Sequence, residues 1–267
     1  MPDLSRFVVP GEPPPFSDQT LVDVRAGRAV LLEEPDGVAV VRDGELELVV
    51  RLEARGQGIG TRLVDRALAL GGAAPRLAWA HGDSPAARAI ATRYGWAATR
   101  TLLQLRAAVP TSEPDQLREL GLPAGSTLTA FRTGTDEAAW LDLNAVAFAS
   151  HPEQGSMTLD DLRARQAEPW FDADDLLLLR DASGALAGSC WLKVEDGIGE
   201  FYAVAVRPDL QGQGLGGVLM RAGYARLHTK GISTAALYVE GDNEPALALY
   251  RRSGFTQHAI DVQYAAP

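Results

Sequence analysis

Residues 55–60 read RGQGIG, and residues 211–216 read QGQGLG. Each string follows a run of strand-forming residues, ELELVVRLEA or EFYAVAVRPDL, and each opens an apolar-rich helical stretch. A strand that feeds a glycine turn and then a helix leaves backbone N–H groups unpaired at the positive end of a helix dipole. Glycine lets that backbone approach a bound group closely. The chemistry on offer is the cradling of a diphosphate. A single copy would read equally well as an ordinary strand-to-helix turn. Two copies in equivalent settings ask for a common cause. Around the second copy lie a carboxylate at a strand start (Glu200), a phenol on an apolar helix (Tyr250) and the only thiol of the chain (Cys190).

The elements that must position these residues repeat as well. In the second half, LLLLR and ALAGSCWLKV flank the hairpin signal DASG, and GEFYAVAV follows. Then come a helix closed by Gly231, the strand STAALYVE, the helix DNEPALALYRRSG and the strand FTQHAIDVQYA. Two helices, GTDEAAWLDLNAVAFAS and TLDDLRARQAEPWF, precede them. The first half repeats the order from RAVLLEE to WAATRTLLQLRA. Gly56 and Gly212 are 156 positions apart, and AHGDSPAARAIATRYGW aligns with VEGDNEPALALYRRSGF at 159. A repeat this long is a duplicated domain rather than a solenoid unit. The expected division is residues 1–107 as a degenerate N-terminal domain, 108–126 as a linker and 127–267 as a C-terminal catalytic domain. The first copy is expected to be truncated. Its opening segment is short and too proline-rich for the two helices that start the second copy.

Composition narrows the function. The chain has 267 residues, with 25 Lys and Arg against 35 Asp and Glu, a formal charge of −10. An acidic chain makes a poor non-specific partner for nucleic acid. One cysteine permits no intrachain disulfide and no CxxC metal site. His151 and His228 have no second ligand at metal spacing, so no metal is expected. No signal peptide opens the chain and no apolar run is long enough to span a bilayer. A soluble, cytoplasmic, monomeric protein with no membrane partner is expected.

The paired loops resemble the GNAT acyltransferase superfamily, whose acetyl-CoA loop reads Q/R-x-x-G-x-G/A. Gln211, Gly214 and Gly216 fit it, and so do Arg55, Gly58 and Gly60. NAVAFASHPEQGSMTLDDLRARQAEPWFD, WLKV, GEFYAVAV, LYVEGDN and LYRRSGF further resemble the mycothiol synthases, a tandem-GNAT family. The resemblance implies an α/β fold of two tandem domains, each a mixed, mostly antiparallel sheet flanked by helices. It implies acetyl transfer from acetyl-CoA, the co-substrate, to the cysteinyl amine of desacetylmycothiol in the C-terminal domain. Acetyl-CoA contacts are implied at Val204, Ala205, Val206, Gln211, Gly212, Gln213, Gly214, Leu215, Gly216, Gly217, Asn243 and Ala246. In the first copy they are implied at Leu48, Val49, Val50, Arg55, Gly56, Gln57, Gly58, Ile59 and Gly60. Glu153, Lys193, Glu200, Tyr238 and Asp18 fall where the resemblance places substrate contacts. By the same resemblance Glu200 is the general base and Tyr250 the acid that serves the departing thiolate.

The residues also have plainer readings. Glu200 could be a solvated carboxylate, Tyr250 and Tyr238 core aromatics, and Lys193 a snorkelling strand end. Cys190, in the apolar context AGSCWLKV, reads as a buried, inert thiol, which points to direct transfer. At offset 159, Tyr250 falls on Ala91; at 156, Glu200 falls on Gly44, with Glu45 one place away. The first copy is therefore expected to lack both the phenol and a correctly facing carboxylate. Two other functions stay open: a tandem GNAT enzyme that acetylates another small amine, and a non-catalytic acyl-CoA sensor.

Overall fold

The computed structural model describes residues 4–9, 12–111, 120–149 and 152–267, and not the side chains of Ser5, Asp18, Pro152 and Glu153. Residues 112–119 of the expected linker therefore lie outside the described residues. In chain order the first elements are α1 (Asp18–Arg25), β1 (Val30–Glu34), β2 (Gly37–Arg42), β3 (Glu45–Val50), α2 (Ile59–Leu68), β4 (Leu77–His81), α3 (Pro85–Tyr94) and β5 (Ala97–Ala108). Then follow β6 (Thr127–Ala130), α4 (Glu137–Ala147), α5 (Pro152–Gly155), α6 (Leu159–Gln166), β7 (Leu176–Arg180), β8 (Leu186–Glu195) and β9 (Ile198–Val206). The chain closes with α7 (Leu215–Thr229), β10 (Thr234–Glu240), α8 (Glu244–Arg252) and β11 (Thr256–Ala265).

These residues form two compact units. One comprises Met1–Gln104, Glu240–Asp242 and Gln257–Pro267; the other comprises Leu105–Val239 and Asn243–Thr256. In the first unit the strand order is β1-β2-β3-β4-β11-β5. Its β3 and β4 run parallel, while β1–β2, β2–β3 and β4–β11 are antiparallel. Alternation along β2 builds both faces. Ala39 and Val41 pack with Leu63 and Val64 of α2, and Val38 and Val40 pack with Phe16 and Val24 on the α1 side. The proline-rich opening segment does form a helix, α1, because the Ser17 hydroxyl caps it by accepting the Thr20 N–H.

The closing strand β11 reads in the sequence as the end of the second copy. In the structure Gln257–Pro267 lies in the first unit. It pairs with β4 from Asp261↔His81 to Ala265↔Leu77, and Asp261 Oδ1 accepts the Gly82 N–H at 3.0 Å.

In the second unit the order is β10-β9-β8-β7-β6. Only β9–β10 is parallel among these pairs. Trp140 and Leu143 of α4 and Leu162 of α6 cover one face of the sheet, against Leu176, Leu178, Trp191, Ala203 and Ala205. The other face carries Cys190 and Phe201 beneath α7. A Cβ on Gly223 of α7 would come within 2.3 Å of the Phe201 ring and 3.1 Å of Cys190 Sγ, so only glycine lets the helix sit this low.

Candidate active site

The second unit opens where β9 and β10 part. Their ladder pairs Thr234↔Ile198, Ala235↔Gly199 and Ala236↔Glu200, and ends there. Beyond Glu200, β9 stays paired to β8, but the register slips: Trp191 faces Ala203 while Leu192 faces Phe201. Tyr202 is the extra residue of a β-bulge. The bulge puts Tyr202 and Ala203 on the same face, both packed in the cluster around Trp191. Past Glu200 the β9–β10 pairing does not continue, so residues 204–206 have no rung with the parallel neighbour. Main-chain groups of Val204 and Val206 on that side then have no β10 ladder to join. A strand edge freed in this way can take an extended chain or an acyl oxygen.

Glu200 stands directly opposite Lys193 on β8. Lys193 does not snorkel outward; it is 7% exposed. Its ammonium sits 5.5 Å above the Trp170 ring and 3.2 Å from Glu195. Tyr202 lies two residues beyond Glu200 on the same face, and its hydroxyl accepts the Nε–H of Arg165 at 2.8 Å. Burial raises the Tyr202 pKa, with the Glu200 charge adding to it and the Arg165 and Lys193 charges opposing. A carboxylate, two cations and a phenol thus border one patch of the sheet. Buried Asn144 of α4 anchors the segment that carries Glu153. Its Nδ2 donates to the Gln154 carbonyl at 2.6 Å and its Oδ1 accepts from Gln154 Nε2 at 3.0 Å.

After β9 the chain makes a 3-10 turn, Pro208–Leu210, and enters the glycine loop. Gly212 and Gly214 take φ of 77° and 84°, a region glycine enters without strain. Gly214 caps α7 with no side chain, leaving the first N–H groups of the helix for a ligand. Gln211 fixes the loop to the strand by donating from Nε2 to the Val206 carbonyl at 3.3 Å. Gly216 has a packing role: a Cβ there would come within 2.9 Å of Leu249 Cδ2 on α8. The loop and the helix that bears Tyr250 are therefore seated against each other.

Tyr250 packs edge-on against Phe255 at 6.1 Å. Burial, helped by the nearby Cys190, pushes its pKa up to about 12. The phenol stays protonated across the neutral and mildly alkaline range and can donate to a departing sulfur. Cys190 is fully buried, and burial alone drives its thiol pKa far upward. A thiol held neutral in this way is a poor nucleophile.

Residues 139–255 match the acetyltransferase (GNAT) family. A protein named mycothiol acetyltransferase from Clavibacter michiganensis is 48% identical over 94% of this chain and 85% of its own length. The chain belongs to the mycothiol acetyltransferase family. It is accordingly an acetyl-CoA-dependent N-acetyltransferase. Solved structures agree on the fold. A GCN5-related N-acetyltransferase from Sphaerobacter thermophilus matches with a TM-score of 0.69 at 22% identity, over 91% of this chain and 84% of that one. A tandem GNAT protein from the clavulanic acid biosynthesis pathway matches at 0.64 and 16% identity, over 90% and 83%.

For a mycothiol acetyltransferase of two tandem units, the first unit resembles the second in part. Its loop has the same backbone, with Gly56 and Gly58 at φ 77° and 76°. Arg55 Nε donates to the Val50 carbonyl at 3.1 Å, as Gln211 does to Val206. A Cβ on Gly60 would meet Ile90 of α3 at 3.1 Å, as one on Gly216 meets Leu249. The loop borders a cleft of about 900 Å³ that runs past Leu48, Val49, Val50 and Ile59 to Trp79 and His81. Ala91, buried on α3, stands in place of the phenol.

The expected lack of a correctly facing carboxylate in the first unit turns on Glu45. Glu45 pairs with Leu77 on the first rung of the β3–β4 ladder, which runs on to Leu46↔Ala78, whereas Glu200 and Ala236 form the last rung of theirs. β3 pairs with β2 without a bulge, and Glu45 lies 155 positions before Glu200 where the loop glycines lie 156 apart. Glu45 is engaged there by Arg42 at 3.3 Å and by Gln263 Nε2 at 3.0 Å.

Other expected residues are placed as follows. Asn243 caps α8 by accepting the Ala246 N–H at 3.2 Å, so these two expected cofactor contacts are tied to each other. Tyr238 is 38% exposed on β10, not a core aromatic. Asp18 begins α1 in the first unit and Glu153 lies in α5; their side chains lie outside those described, as does His151. Gln57 and Gln213 sit in their loops, and Gln213 Nε2 reaches the Asp209 carbonyl at 3.5 Å. Among the described residues, no group of three or more His, Cys, Asp or Glu could hold a metal, and no helix is long and apolar enough to cross a membrane. Sequence reasoning passed over Tyr202, Arg165 and Trp170. The one trace of the bulge was the single-residue mismatch around Glu45.

Proposed function

We propose that the second unit transfers acetyl from acetyl-CoA to the cysteinyl amine of desacetylmycothiol, directly and within a ternary complex. The diphosphate lies on the N–H groups of the loop at residues 211–217, and the pantetheine arm and thioester oxygen on the freed edge of Val204, Ala205 and Val206. Glu200, acting through a water, takes the proton of the attacking amine. An α-amine has a pKa of about 7.7–8.0, so the base has little work to do near neutrality. The amine nitrogen bonds to the acyl carbon, the carbon–sulfur bond breaks, and Tyr250 supplies the hydrogen that the thiolate takes. Glu153, Lys193 and Tyr238, with Asp18, contact the acceptor. The first unit holds acetyl-CoA without turning it over, on Leu48, Val49, Val50 and residues 55–60. The enzyme works as a cytoplasmic monomer with these two small molecules as its partners.

One observation carries this reading. The carboxylate at the end of the β9–β10 ladder, the bulge, the glycine loop and a protonated phenol all belong to one unit, and in the other unit an alanine replaces the phenol. That asymmetry is what a working copy beside a retired one would leave. It also weighs against a sensor with both copies silent. The test is turnover of acetyl-CoA with a panel of amines that includes cysteinyl-glucosaminyl-inositol, with products read by mass spectrometry. N-acetylation of that conjugate far above simple amino sugars supports the reading. Equal rates on amino sugars would assign another acceptor, and no turnover of any amine would leave the sensor.

A further inference from the structure

Tyr202 is the residue that the β9 bulge adds to the face shared by Lys193 and Glu200. Its ring is locked: Trp191 meets it edge-on at 5.2 Å, and Trp170 lies tilted against it at 5.3 Å. Its oxygen is fixed from a second direction by Arg165 Nε, which donates to it from α6 at 2.8 Å. A phenol oxygen that accepts from a guanidinium still has its own hydrogen to give. No acceptor among the described residues takes that hydrogen.

The surroundings say what would take it. The Lys193 ammonium over Trp170 and the Arg165 guanidinium bring two cations to this edge beside the carboxylates of Glu195 and Glu200, so donors that suit an oxygen acceptor stand around the hydroxyl. Glu200 is two residues away on the same face, a separation of roughly 7 Å between backbone positions. A ligand that serves both side chains needs an amine toward Glu200 and an oxygen a short way off toward Tyr202. An α-aminoacyl group has that form, since its nitrogen and its carbonyl sit on adjacent carbons. A packing role alone would need only the ring, and a phenylalanine would supply it.

Resting on the reading of Glu200 as the base for the reacting amine, we propose that Tyr202 is a specificity-determining residue. Its hydroxyl donates to the acyl oxygen of an α-aminoacyl amide and so selects such amines over those with no carbonyl beside them. The hydrogen bond holds the amine in line for attack and takes no part in proton transfer. Arg165 is a positioning residue that aims the hydroxyl.

The test compares two amines of the same thiol-bearing type on the full-length enzyme, cysteinamide and cysteamine; the second lacks the carbonyl. Tyr202→Phe keeps the ring packing. KM for cysteinamide should rise about tenfold, the scale of one lost directed hydrogen bond. KM for cysteamine, KM for acetyl-CoA and kcat should stay within about twofold. Arg165→Gln frees the hydroxyl without removing it and should show the same selectivity with a smaller loss, which guards against a Tyr202 variant that fails to fold. Equal losses on both amines, or none on either, with a wild-type enzyme that acetylates both, would overturn the assignment alone. A wild-type enzyme inert toward both would remove the reading of the second unit, and the assignment with it.

Discussion

Glu200 closes the β9–β10 ladder opposite Ala236, whereas Glu45 opens the β3–β4 ladder opposite Leu77. Both units thus carry a carboxylate in their parallel ladder, at opposite ends of it. Glu45 is bound by Arg42 and Gln263, no bulge follows it, and Ala91 offers no hydrogen to a leaving thiolate.

The two loops should respond differently to the same strain. Gly214 and Gly58 both take positive φ, 84° and 76°, where an alanine costs about 1 kcal/mol or more. A Cβ on Gly214 meets nothing within 4 Å, so the effect there is conformational. Gly214→Ala should raise KM for acetyl-CoA about tenfold, whereas Gly58→Ala should leave kcat and KM within about twofold. Steady-state kinetics of both variants decide it. Abolished turnover in a folded Gly58→Ala enzyme would refute the division of labour.

Tyr250→Phe keeps the ring against Phe255 and removes only the donor. Loss of a general acid costs about 10²–10⁴-fold in kcat, with little effect on binding of acetyl-CoA. Because burial holds the phenol near 12, the loss should be constant from pH 6.5 to 9.5. A deficit that disappears in alkaline solution would show that the sulfur leaves without this hydrogen.

Cys190 should take no part in transfer. It is 0% exposed and its thiol is held neutral by burial. Initial rates against both substrates should give intersecting double-reciprocal lines, and iodoacetamide should leave the native protein unlabelled. Parallel lines, or a folded but dead Cys190→Ala, would require an acetyl-cysteine intermediate instead.

His81 gives the first unit an alkaline weak point. Burial by itself would lower its pKa, but Asp261 Oδ2 at 3.1 Å and Glu47 Oε2 at 3.6 Å raise it from 6.5 to about 9. The charged imidazole therefore stabilises the fold fully below pH 6.5, and that contribution is lost as pH rises through 9. The loss amounts to about 3 kcal/mol at most. Urea unfolding at pH 6 and pH 10 should show the decline in the wild type and a much flatter response in His81→Gln. Equal slopes in the two proteins would mean the imidazole is neutral in the fold.

The duplicated strand–loop–helix order was legible because glycines at fixed spacing and period-two strands leave local marks. The loop backbones at residues 55–60 and 211–216 took the turn that spelling implied. Two features were not legible. The bulge at Tyr202 carries no glycine or proline, so only pairing with β8 reveals it. The entry of β11 into the first unit depends on partners far away in sequence, His81 and Gly82, which no local pattern names. The roles of Trp170 and Arg165 arise from side chains of three elements meeting on one face, which spacing along the chain does not encode.

The role of Glu200 is tested most directly by the pH profile of Glu200→Gln with cysteinyl-glucosaminyl-inositol as acceptor. If Glu200 removes the proton from the amine, kcat/KM should fall about 10²-fold at pH 6.5. The deficit should shrink as pH rises past the amine's own pKa of about 7.7–8.0, where free amine needs no base. A loss by the same factor at every pH, with a raised KM for the amine, would contradict this and make Glu200 a binding residue. Glu240 could not readily take its place, since Arg100 already holds that carboxylate.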